Sequence, residues 1–197
     1  MSYIANVIAP QELTTGYGWV GSTDATAPSN PAEDPGSGFA CYGRIGEDGI
    51  TRSFDSDSED IQDMFGNVIY SVRTSDSETF NWDMVDVNPT SLGIFYGPES
   101  VTGSVDAGFT IRSNSAWSVE RMYVNRFIMK KTDTHVTYGL IVIPRGKLTE
   151  RGDQTFVGSD VVHHEITINA LPDTNGVRAY LYTSAPQAIS GATGTTN

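Results

Sequence analysis

The sequence predicts a mainly β fold, a β-sandwich or half-barrel with one short flanking α-helix, long loops and a flexible C-terminal tail. Three observations carry this. Apolar and polar residues alternate over short runs, the period of a half-buried strand. Clusters of turn-forming residues separate the runs. Only the segment after Asn88 has the boundary chemistry of a well-capped helix, with Asn88 as cap, Pro89 in the first position and Gly97-Pro98 at the end.

Taken in chain order, the first feature is a segment without periodicity. Gly21–Gly38 is small, polar and rich in Pro and Gly, and predicts a long loop or arm. Asp48-Gly49 is a dipeptide suited to a hairpin turn. Ser58–Phe65 predicts a turn of helix with Ile61 and Phe65 inward. Val68–Thr74 predicts a strand joined through the polar connection Thr74–Glu78 to a second strand, 79–87. In that second strand Phe80, Trp82 and Met84 share the apolar face. On the helix that follows, Leu92, Phe95 and Tyr96 fall on one side, spaced to pack on a sheet. Val119–Met129 is apolar on both faces, as expected of a strand in the middle of a sandwich or under a partner chain. Val136, Tyr138, Leu140 and Val142 share a face. So do Val162, His164, Ile166, Ile168 and Ala170, opposite His163, Glu165, Thr167 and Asn169. Val177, Ala179 and Leu181 alternate with Arg178, Tyr180 and Tyr182 after an Asn175-Gly176 turn. These boundaries predict a single domain over residues 1–186, with the 21–38 loop inside it, and a Gly/Ala/Thr tail over 187–197.

Composition narrows the function. Lys and Arg number 12 against 24 Asp and Glu, a formal charge of −12, and only 18% of residues are charged. Gripping nucleic acid through its phosphates needs the opposite balance. The single cysteine, Cys41, forms no intrachain disulfide and fits a reducing compartment. With only three histidines beside it, a Cys/His zinc site is not expected. Neither a signal peptide nor an apolar run of membrane-spanning length occurs.

Each motif yields to a plainer reading. The acidic run Asp55–Asp60 lacks the Gly and the bidentate Glu of a calcium loop, and reads as a solvated loop leading into Ile61. Gly36-Ser37-Gly38 has Cys41 where a dinucleotide fingerprint needs its third Gly. His164-Glu165 in an alternating strand puts the two side chains on opposite faces, so His164 reads as a core or interface residue. Arg151-Gly152-Asp153, the letters of an adhesion tripeptide, reads as a turn. The grouped bases Arg121, Arg126, Lys130 and Lys131, and then Arg145, Lys147 and Arg151, suit contacts with acidic surfaces of another copy better than a nucleic-acid patch. No nucleophile, base or metal constellation emerges, which argues against an enzyme.

The order of segments carries a resemblance. YGRIGEDGITRSF (42–54) precedes the acidic stretch and Ile61–Phe65. SETFNWDMVDV (77–87) leads into the helix after Asn88. IPRGKLTERG (143–152), HEITINALP (164–172) and GVRAYLYTSAP (176–186) close the series. Over roughly residues 17–186 it resembles the major tail proteins, or tail tube proteins, of long non-contractile-tailed bacteriophages. The resemblance implies a tail-tube-like β-sandwich whose copies form hexameric rings stacked into a hollow tube, the conduit for genome delivery. It implies tape-measure, tail terminator and tail-tip proteins as partners, with DNA passing unbound through the lumen. It implies no cofactor, catalytic residue, metal or membrane, and places the protein in the virion tail after synthesis in the host cytoplasm.

Alternation combined with that resemblance assigns Asn81, Asp83, Glu165, Thr167 and Asn169 to the lumen. It makes Gly21–Gly38 a ring-to-ring contact element. The competing reading is a carbohydrate- or receptor-binding β-sandwich, stacking sugars on Trp19, Trp82, Trp117 and the tyrosines. A head-decoration protein is a further structural alternative.

Overall fold

In the computed structural model, residues 18–104, 106–113, 117–132, 135–154 and 162–188 are described. One large antiparallel sheet dominates. Its strands are β1 (Gly18–Gly21), β2 (Phe39–Gly43), β3 (Ile45–Gln62), β4 (Val68–Met84), β7 (Glu120–Lys131), β8 (His135–Arg151) and β9 (His164–Leu171), ordered β2-β1-β7-β8-β9-β4-β3. The short strands β10 (Tyr180–Thr183) and β11 (Gln187–Ala188) also pair with β8, continuing the line of β9 along it. Gln187 and Ala188, at the head of the expected tail, therefore belong to the sheet. A separate small hairpin joins β5 (Val101–Ser104) to β6 (Gly108–Ile111).

The sheet curls without closing into a barrel. Strands β2 and β4 are five spacings apart, about 24 Å in a flat sheet. Yet Tyr42 of β2 stacks on Trp82 of β4 with ring centroids 6.4 Å apart, and Tyr123 of β7 meets Trp82 edge-on at 5.8 Å. The Tyr42 hydroxyl donates to the Asn125 side chain, so this aromatic centre has a buried polar tie. Around it pack Phe80, Met84, Ile143, Leu148, Ile166 and Ile168, all buried. The central strand β7 is buried on both faces, as its sequence predicts.

Helix α1 (Pro89–Tyr96) closes the concave side. Asn88 caps it, accepting from the backbone N–H groups of Thr90 and Ser91 at 2.9 Å each, and its own N–H donates to Ser91 Oγ at 3.0 Å. This reciprocal box satisfies donors that a helix start leaves open. Gly97, at φ 105°, ends the helix in a conformation that favours glycine. Leu92, Ile94 and Phe95 are buried and Tyr96 partly so.

Four expectations are corrected. Thr74–Glu78 is not a connection, because β4 runs unbroken from Val68 to Met84 while β3 pairs with it across the same stretch. Ser58–Phe65 is not helical; β3 extends to Gln62, and the chain reverses at Asp63–Asn67. Asp48-Gly49 makes no hairpin. It sits in an irregularity of β3, where Ile45 and Ile50 face Met84 and Trp82, and Gly49 takes φ 71°. In the last segment the strand begins at Tyr180, and Tyr180 and Tyr182 pack on the Trp19 cluster while Leu181 is exposed. The tyrosine face is the packed one because the apolar face beneath it is that of Leu140 and Val142.

The curl generates a stability contrast. Trp82→Ala should cost about 3–5 kcal/mol, since the indole fills the centre of the core. Met64→Ala, on the exposed β3–β4 turn, should stay within about 0.5 kcal/mol. Urea unfolding of the dilute, unassembled protein measures both.

Candidate assembly surfaces

The convex face of the curled sheet has two different halves. Over β1, β7 and the first part of β8 it is apolar, formed by Trp19, Met122, Val124, Leu140 and Val142. The 21–38 segment lies against this half. Its Asp34 pairs with Arg126 at 2.7 Å, and Arg126 lies over the Trp19 ring at 5.0 Å and the Tyr138 ring at 5.8 Å. Pro31 and Pro35 of the segment are buried. The expected long loop is therefore present, and it is folded onto its own sheet.

Over β4, β9 and the last part of β8 the same face is polar. All five residues assigned to a lumen meet here. Asn81 pairs across the strands with Thr167, Asp83 with Glu165, and Thr79 with Asn169. Asn81 Nδ2 donates to Glu165 Oε1 at 2.9 Å and to Thr167 Oγ1 at 3.1 Å. Partial burial pushes the Asp83 carboxyl up, and His163 Nδ1, 3.5 Å away, opposes that shift. Beyond Asn169 the next residue across is Lys147 of β8, so this candidate contact residue belongs to the same polar face.

The other bases are dispersed. Arg126 is buried and engaged within the chain. Arg145 pairs with Glu120 at 2.9 Å and donates to the Pro172 carbonyl oxygen. Arg121 lines an open groove with Pro89, Thr90 and Gly93, between the 21–38 segment and α1. Lys130 and Lys131 are exposed at the end of β7.

A surface that sequence reasoning missed is the outer part of the β3–β4 pair. From Thr51 to Asp76 every residue is exposed except the partly buried Asp63, although the strands stay paired. This two-stranded arm carries six carboxylates and one guanidinium between 54 and 76, a formal charge of −5. The run Asp55–Asp60 is thus solvated, as expected, but lies on a strand. Phe54, Ile61, Met64, Phe65, Ile69 and Tyr70 are also exposed on the arm. Arg178 braces its base, donating to the Asp76 carbonyl oxygen at 2.6 Å. Exposed aromatics at 61–72 beside a paired acidic run were the available signal.

The tryptophans do not form a sugar-stacking platform. Trp82 and Trp19 are buried, and Trp117 is partly buried under the Arg151 guanidinium at 4.4 Å. Among the described residues, no group of three or more His, Cys, Asp and Glu side chains is placed to hold a metal ion. Among these residues, too, no helix is long and apolar enough to cross a membrane.

A sequence model of the family described as phage tail tube protein matches residues 11–192 of this chain. No curated protein matches it. Solved structures that resemble it include the cap of the anti-feeding prophage, at 12% identity and a TM-score of 0.39, over 93% of this chain and all of that one. Another is a chain of the sheath–tube complex of the extracellular contractile injection system PVC, at 11% identity and 0.40, over 96% of this chain and all of that one.

His164 makes stability depend on pH. It packs edge-on against Phe95 at 5.1 Å, and burial holds its imidazole below the ordinary value of 6.5. The unfolded chain therefore takes up the proton first, and stability is lost as pH falls below about 6.5 towards the folded value. Urea midpoints should drop between about pH 7 and pH 5, and His164→Gln should shrink that drop.

Proposed function

Because the chain belongs to the phage tail tube protein family, we propose that it is the repeating wall subunit of a tail tube, six copies to a ring, with rings stacked into the conduit for genome delivery. The exposed arm carries this reading. A two-stranded ribbon solvated on both faces is marginal by itself in water, and it gains stability when another surface covers it. A ring subunit offers that surface on the next copy, and a contact that joins unlike patches propagates instead of closing on itself. Bridging between copies is assigned to the arm, with the 21–38 segment serving as cover for its own sheet.

The polar convex half supplies the lumen. Six copies of the Asn81, Asp83, Glu165, Thr167 and Asn169 face, with Lys147 at its border, give a wall of amides, hydroxyls and carboxylates. Such a wall offers DNA few cations to hold it. A single domain, extended past the expected boundary at 186 by the β11 pairing of Gln187 and Ala188, forms the wall. The segment order favours a long non-contractile tail, and in that setting the partners are tape-measure, terminator and tail-tip proteins. The tryptophans lend the glycan-binding alternative no support, since each is taken up within the fold.

Negative-stain microscopy of the concentrated protein should show rings or long hollow tubes, and monodisperse particles at every concentration would overturn the reading. In virions, Asp83→Lys combined with Glu165→Lys should leave tubes intact and slow DNA ejection at low salt. Unchanged ejection kinetics would remove this face from the lumen.

A further inference from the structure

At the root of the arm lies a cavity of about 200 Å³, lined by Phe80, Phe127, Met129, Ile141 and Leu181, with Arg52 as its charged member. Phe127 lies over Gly139, where a Cβ would come within 2.5 Å of the ring. An apolar cavity of about 150 Å³ stays dry and accepts benzene, whereas pockets for small ligands start near ~300 Å³. This one is sized for a single aromatic side chain.

The arm's own tip presents such a side chain. Phe65 is 81% exposed in the reversal at Asp63–Asn67. The turn is held rigidly. The Asp63 carboxylate accepts from the Phe65 N–H at 2.8 Å and from the Asn67 N–H and side chain at 2.9 Å each, while Gly66 takes φ 83°. The backbone that carries Phe65 is therefore ordered before it meets anything, which lowers the entropy lost on docking.

We infer that Phe65 of one copy seats in the arm-root cavity of a second copy. The inference rests on the tube-subunit reading and names the two surfaces that meet. A chain's own tip cannot fill its own cavity. Arg52 and Phe80 are paired opposite each other at the arm's root, and the tip lies about ten residues further out, roughly 35 Å along a strand. Charge agrees with the pairing, since the arm is acidic and Lys130 and Lys131 directly follow the cavity residue Met129 at the exposed end of β7. Each copy contributes a tip at one end and a seat at the other, so the contact is head-to-tail.

Phe65→Ala should raise the critical concentration for polymerisation about tenfold or more, from lost burial of the ring. Leu181→Arg, which fills the seat, should do the same, and the double variant should be no worse than either alone. In a Cys41→Ser background, F65C and L181C proteins mixed above the raised critical concentration of the variants and treated with a short bismaleimide should give a covalent dimer of the two variants. In a separate control that keeps native Cys41, exposed on β2, the F65C protein should show no bridge between positions 41 and 65. If wild-type tubes form but positions 65 and 181 are not bridged and Phe65→Ala polymerises normally, the seat is overturned and the tube reading stands. If the unaltered protein forms no tubes at any concentration, both fall.

Discussion

Everything in this molecule depends on Trp82 being held between Tyr42 and Tyr123. These three rings come from strands that a flat sheet would keep far apart, and their contact forces the sheet to roll. Rolling creates an inside, where Phe80, Met84, Ile166 and Ile168 are sealed from water, and an outside that is strictly convex. The outer half of the β3–β4 pair stands free for a separate reason: β9 pairs with β4 only from Thr79 to Met84, so among the described residues no further strand lies beside the arm. The hydroxyl of Tyr42 meeting Asn125 keeps a polar group from being stranded at the centre.

The convex side shows how one sheet face can serve two ends. Where it is apolar, Phe39, Tyr180 and Tyr182 pack on the cluster of Met122, Val124, Leu140 and Val142, and the 21–38 segment is tied beside it through Asp34 and Arg126. Arg126 makes that cover specific, lying between the Trp19 ring and the Asp34 carboxylate. Where the face is polar, no cover is needed. The Asn81 amide links Glu165 and Thr167 across two strands, so this half is ordered without burying apolar surface. Asp83 is drawn partly out of water there, which raises its carboxyl pKa and softens the acidity of the patch.

The legible parts of the fold were those where burial is one-sided. Phe80-Trp82-Met84 and Ile166-Ile168-Ala170 alternate because one face of each strand meets the core, and the polar residues between them could be grouped before the strands were known to be neighbours. Helix α1 was legible because its signal is local, in the Asn88 side chain and Pro89. The arm was not. Period-two alternation is the imprint of a buried face, and residues 51–76 have none. Register shifts near Asp57 and Ile61 disturb what phase remains, so a paired Ser/Thr/Asp stretch looks like a connection. The partner of Arg126 was not legible for a related reason: a base in a cluster carries no sign of what it meets, and only the path of the 21–38 segment brings Asp34 of the same chain to it.

The acidic serine-rich run of β3 has a consequence for solubility during synthesis. A long, solvated strand with an open edge is a template for uncontrolled β-pairing, the route to fibrillar aggregates. Asp55, Asp57, Glu59 and Asp60 put a column of like charges along that edge, so that a second arm approaching strand to strand would meet its own charge. The aromatic residues are kept to the two ends of the run. An arm built this way repels strand-to-strand contact along its length, so that protection against aggregation is written into the acidic run itself.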